Sequence, residues 1–158
     1  IVSRDWSSDV CSSDLLSIES VKSGGGPFGS VIIKNNEIIS EGMNRVTKNN
    51  DPTAHGEIVA IRNACKNLND FSLKGCELYT SCEPCPMCLS AIYWSRIDKI
   101  YYANTRDDAK KIDFDDSLIY SELTKKIKER KIPTTQLMRD EALQGFKLWK
   151  NTENKVKY

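Results

Sequence analysis

Residues 76–104 read "CELYTSCEPCPMCLSAIYWSRIDKIYYAN". The stretch opens with a short β-rich run, "CELYTS". Then comes "PCPMCLSAIYWSR", which reads as a helix with proline in its first turn. It closes with a second β-rich run, "KIYYAN". Strand, helix, strand is the repeating unit of an α/β protein. The alternation continues from residue 71 onward, which predicts a three-layer α/β domain.

Working outward, "FGSVIIKNNEIISEG" at 28–42 is two β-rich runs around Asn35-Asn36, a hairpin signal. Residues 51–68, "DPTAHGEIVAIRNACKNL", read as a helix. Asp51 suits its cap and Pro52 its first turn, and Ile58, Ile61, Ala64, Cys65 and Leu68 form its apolar stripe. Before the hairpin, "LSIESVKSGGG" is the stub of a helix that stops at glycines. Toward the C-terminus, "DDSLIYSELTKKI" is helical, "PTTQLM" is a candidate strand and "DEALQGFKLWKNTENK" is a last helix. Residues 1–15, "IVSRDWSSDVCSSDL", lack clear periodicity and repeat an "SSD" unit. They read as a non-native segment, a cloning or assembly scar, with a native N-terminal helix as the alternative. The domain proper is then 16–158.

Composition bounds the function. The chain has 158 residues, 39% hydrophobic and 28% charged, which fits one domain with a substantial core. Lys+Arg is 23 and Asp+Glu is 22, so no long-range field draws the chain to nucleic acid or to an anionic membrane. No apolar run approaches the roughly 18 residues of a membrane span. With no secretory signal visible, a reducing cytoplasm is expected. There, clustered thiols bind metal or do chemistry more often than they form disulfides.

Of six cysteines, Cys82, Cys85 and Cys88 are clustered, and the chain has one histidine, His55. Cys85 and Cys88 are three apart at a helix start, so both thiols can reach one ion. A helix N-terminus favours the thiolate, the form that binds metal. One His and two Cys leave the fourth position of a tetrahedral zinc open, as a catalytic site requires. Glu57 lies two residues beyond His55. In mid-helix the two would point apart by about 200°. They converge only if the ion sits off the helix end. A carboxylate beside an activated water can take its proton and pass it on. Alternatives remain at this level. Cys-x-x-Cys also suits a redox pair, though such pairs have no His-x-Glu helix upstream. Cys82 could complete a purely structural zinc site. His-x-Glu together with Pro-Cys-x-x-Cys is far more specific than either part, and is the signature of zinc deaminases.

With these motifs the chain resembles the cytidine/deoxycytidylate deaminase superfamily, and within it the bacterial guanine deaminases. The matching stretches are "GGGPFGSVI", "NDPTAHGE", "YTSCEPCPMCLSAIYWSR", "FDDSLIY" and the terminal "NKVKY". The first three are shared across purine and pyrimidine deaminases, and the last two point to guanine. The resemblance implies a three-layer α/β/α fold with a mixed five-stranded central sheet. It implies one zinc per chain on His55, Cys85 and Cys88, with Glu57 and Asp116 catalytic. By the same resemblance Asn44 hydrogen-bonds a purine, Phe28 and Trp94 pack on its faces, and Tyr158 helps close the pocket. It further implies a homodimer that exchanges a C-terminal part, about 105–158, so that Asp116 and Tyr158 of one chain complete the other's pocket. Gly56 stands where the family usually has alanine, as in some cytosine deaminases. Cytosine or tRNA adenosine are the alternative substrates, the latter disfavoured by the near-neutral charge.

Overall fold

The computed structural model describes residues 6–158, with side chains from residue 11; residues 1–5 of the N-terminal segment lie outside the described residues. The chain divides into two units, Ile1–Asp116 and Ser117–Tyr158.

The first unit is built on a sheet of four strands: β1 (Gly29–Lys34), β2 (Glu37–Met43), β3 (Cys76–Cys82) and β4 (Lys99–Asn104). Their order is β2-β1-β3-β4. β1 runs antiparallel to both β2 and β3, while β3 and β4 are parallel, so the sheet is mixed. Asn35 and Asn36 take positive φ, 50° and 65°, and turn the β1–β2 hairpin, as asparagine does more readily than most residues. The fifth strand expected at "PTTQLM" is absent. Residues 133–138 form no ladder, and the proline that heads them cannot donate to one.

Successive strand residues face opposite sides of the sheet. Ile32 and Leu78 are paired neighbours on one face. There they join Ala60, Ala64, Leu73, Cys76 and Ile92 in the larger core cluster. This face is covered by α3 (Gly56–Leu68) and α4 (Pro86–Ser95). Val31, Ile33 and Tyr79 point the other way and pack with Leu16 of α1 (Trp6–Lys22) and Tyr101. The result is a three-layer α/β/α unit. Burial of Ile32 and Leu78 alone contributes about 1.5–3 kcal/mol each.

Two helix starts differ from the sequence expectation, and two short helices are added. The first helix does not start at Leu16; α1 is continuous from Trp6, and Ser13 is buried within it. The helix expected from Asp51 starts at Gly56. Asp51 instead accepts bonds from the Thr53 backbone N–H at 2.8 Å and the Thr53 hydroxyl at 2.6 Å. That local turn competes with helix formation. Short helices unforeseen in the sequence follow the hairpin, α2 (Val46–Asn49), and β4, α5 (Arg106–Lys110).

The second unit holds α6 (Ser117–Thr124), a 3-10 turn at Ile127–Glu129 and α7 (Arg139–Asn151). No helix among the described residues is long and apolar enough to cross a membrane.

Candidate active site

The late start of α3 decides the site. It makes His55 the N-cap, with extended φ and ψ of −68° and 159°, and puts Glu57 in the first turn. Cys85 is likewise the N-cap of α4, with Pro86 opening the helix and Cys88 in its first turn. The His55 side chain makes no cap hydrogen bond to α3, and the Cys85 thiol turns to Cys88 of its own helix and to His55. The two helix starts face each other. Nδ1 of His55 lies 3.6 Å from Cys85 Sγ and 3.5 Å from Cys88 Sγ.

All three donor atoms fall within 4.8 Å of one another. One neutral imidazole and two thiols at this spacing match the donor set zinc prefers. Cys82 does not join them. It is buried at the end of β3, with its Sγ 3.7 Å from the Thr105 carbonyl. Burial pushes its thiol up to about 11, and among the described residues the atoms grouped within 4.8 Å are those of His55, Cys85 and Cys88 alone. The structural-site alternative therefore loses its fourth ligand.

The electrostatics are those of a preformed thiolate. The Cys85 thiol is lowered to about 4, first by its interaction with Cys88 and then by His55. His55 is raised by Cys85. Cys88 is pushed up, first by its hydrogen bond with Cys85 and then by burial. Glu57 is only 6% exposed, and that burial raises its carboxyl, with the negative Cys85 adding to the effect. An elevated carboxyl pKa suits a group that must both accept and return a proton near neutrality.

A close approach of backbones holds these parts together. A Cβ on Gly42 of β2 would lie 2.3 Å from the Gly56 carbonyl oxygen, so only glycine lets β2 reach the start of α3. At Gly56 an added methyl would stand 3.2 Å from the Phe28 carbonyl oxygen and 3.4 Å from that of Gly42. Alanine there needs a shift of a few tenths of an ångström, and glycine leaves the zinc ligands undisturbed.

The expected base-binding residues fall into two groups. Asn44 is 7% exposed, and its Oδ1 accepts from the backbone N–H groups of Gly26 at 3.4 Å and Val46 at 3.3 Å. Its own N–H donates to the Phe28 carbonyl at 2.9 Å, tying the two residues together. Phe28 meets Phe114 edge-on, with ring centroids 4.9 Å apart. Phe114 was not anticipated; its place beside "DDS" was the available signal. Asp116 belongs to the same unit as the metal-binding residues, and its carboxyl is raised by burial, lowered by Arg106 and raised by the nearby Cys85. Trp94 is in the second group. It lies six residues past Cys88, about 9 Å along the helix axis, and is 69% exposed. Tyr158, 72% exposed, ends the second unit.

A family model for the cytidine and deoxycytidylate deaminase zinc-binding region matches residues 9–104, which include all three donors and Glu57. The chain belongs to this deaminase family. The deaminase is 54% identical over 144 residues to a guanine deaminase of Bacillus subtilis (strain 168), covering 90% of this chain and 92% of that one. It superposes on an X-ray structure of guanine deaminase from Bacillus subtilis with a TM-score of 0.95 at 49% identity, over 98% and 99% of the two chains. A tRNA-specific adenosine deaminase of Aquifex aeolicus (strain VF5) is 49% identical over 77 residues, 49% of this deaminase and 51% of that protein.

Proposed function

We propose that this deaminase hydrolyses guanine to xanthine and ammonia in the cytoplasm. The observation that carries guanine over other bases is the reach of the likeness. It spans 90% of the chain at 54% identity for the guanine deaminase, but 49% at 49% identity or 73% at 34% identity for tRNA-specific adenosine deaminases.

His55, Cys85 and Cys88 would hold one zinc, which would supply the Lewis acidity that makes water a nucleophile at neutral pH. Glu57 takes the proton of the attacking water and delivers it to a ring nitrogen. With the water oxygen bonded to C2, Glu57 takes the second proton from that hydroxyl and passes it to the amine, the C2–N bond breaks, and ammonia leaves as the C2 carbonyl forms. Asn44 orients the base: its Oδ1 is held by two backbone donors, and its Nδ2–H groups donate to purine acceptors in this reading. Phe28 and Phe114 form an aromatic corner against which the ring packs. Asp116 accepts from the amino side. The test is a panel of guanine, adenine, cytosine, guanosine and cytidine, followed by ammonia release. Guanine should have the highest kcat/KM. A higher value for cytosine would reject the guanine assignment and leave the zinc chemistry intact.

We further infer that the active form is a homodimer that exchanges its C-terminal unit. Exposed aromatics support this: Tyr93 and Trp94 on the first unit, Phe146, Trp149 and Tyr158 on the second. Such surface marks an interface, and an exposed Trp94 or Tyr158 can wall a dry pocket only when covered. We infer that the exchanged segment, about 105–158 by resemblance, is the second unit, 117–158, with Tyr158 the residue to follow. Glu57→Gln and Tyr158→Ala chains, each impaired alone, should recover about a quarter of parental activity when refolded together, because half the dimers carry one intact pocket. Proven heterodimers without recovery would exclude the exchange.

A further inference from the structure

We propose that Arg106 is a positioning residue for Asp116, holding its carboxylate against the loop that presents Cys85. The inference rests on the role proposed above for Asp116. Its observations are all within the first unit.

Arg106 is the first residue of α5, and that start is fixed twice. Thr105 and Asp108 form a reciprocal capping box, with Thr105 Oγ1 accepting from the Asp108 N–H at 3.2 Å. The Arg106 backbone N–H donates to Glu83 Oε2 at 3.1 Å. Glu83 lies in "CEPC", the turn between Cys82 and Cys85, and its own N–H donates to the Asn104 carbonyl at 2.8 Å. The arginine backbone is therefore docked on the segment that carries a metal-binding thiol. From there the guanidinium reaches back to Asp116, with Nη2 3.8 Å from Oδ1.

The neighbouring residues hold the same loop. Lys110 pairs with Asp115 at 3.2 Å, and Phe114 packs edge-on against Phe28. The Lys110–Asp115 pair is more exposed, so it contributes little. The Arg106–Asp116 pair is the less exposed of the two, at 35% and 19% of the side chains. It joins the Cys85 turn to the carboxylate through one side chain. A carboxylate that must meet a substrate amino group gains from being held, since a displacement near 1 Å costs up to about 10²-fold in rate.

The test is a double-mutant cycle in the zinc-loaded enzyme with guanine as substrate. Arg106→Ala should lower kcat by about 10–100-fold while KM and zinc content stay near parental values. Arg106→Lys should recover most of that loss. In an Asp116→Asn background, adding Arg106→Ala should change kcat by no more than about twofold, because the interaction is already gone. A parental kcat in Arg106→Ala, or losses that multiply in the double variant, would overturn the proposal. The second outcome is what a purely structural arginine gives. If Asp116→Asn is itself fully active, the reading of Asp116 fails and the proposal with it. If Arg106→Ala does not fold, Arg106→Gln enters the same cycle.

Discussion

Glu57→Gln is expected to abolish turnover while leaving the protein folded and zinc-loaded. The side chain is buried at the first turn of α3, and glutamine has the same shape. The substitution removes no packing and leaves no buried charge without a partner, so the fold should survive. What it removes is the capacity to accept a proton. General acid–base catalysis is worth roughly 10²–10⁴-fold, and Glu57 serves several transfers in one turnover, so the loss in kcat should exceed that range. The checks are steady-state ammonia release, zinc analysis and a thermal melt on the same preparation. Turnover within about tenfold of the parent, under 1.4 kcal/mol in barrier, would refute the role.

Cys85→Ala should lose the metal and the activity together. Cys85 is the cleaner of the two cysteines to truncate. Cys88 is fully buried, so its removal adds a cavity to the loss of a donor. Cys85 is part-exposed, and its side chain makes no cap hydrogen bond to α4. Truncation there removes a zinc donor together with its contacts to His55 and Cys88, without opening a fully buried cavity. The loss of activity should exceed the roughly 10–100-fold that outer-shell partners of a metal site cost. A Cys85→Ala protein that retains one zinc and parental turnover would remove Cys85 from the ligand set.

Much of this site was legible because metal and proton chemistry need particular side chains at particular spacings. His55, Glu57, Cys85 and Cys88 declare themselves by type and by their placement at helix starts. The helix boundary that makes His55 an N-cap was less legible. Asp51 has the features of a cap, and only the competing bonds to Thr53 show that it closes a turn instead. The hairpin was readable from Asn35-Asn36, since few residue pairs tolerate two positive φ angles. "PTTQLM" carried enough β-branched and apolar residues to suggest a strand. Strand formation depends on a partner edge, which no local pattern encodes. Phe114 and Arg106 were not foreseen for a related reason. One meets Phe28 and the other meets Asp116 through an irregular loop, and no helical or strand period links either pair.

Zinc-dependent guanine deamination at His55, Cys85 and Cys88 is tested most directly by following guanine disappearance and xanthine appearance in one sample, before chelation, after removal of the metal and after zinc is returned. One ammonia per guanine consumed, loss of turnover in the metal-free protein and recovery at one zinc per chain are expected. Undiminished xanthine formation by metal-free protein, or no xanthine from zinc-loaded protein, would contradict it.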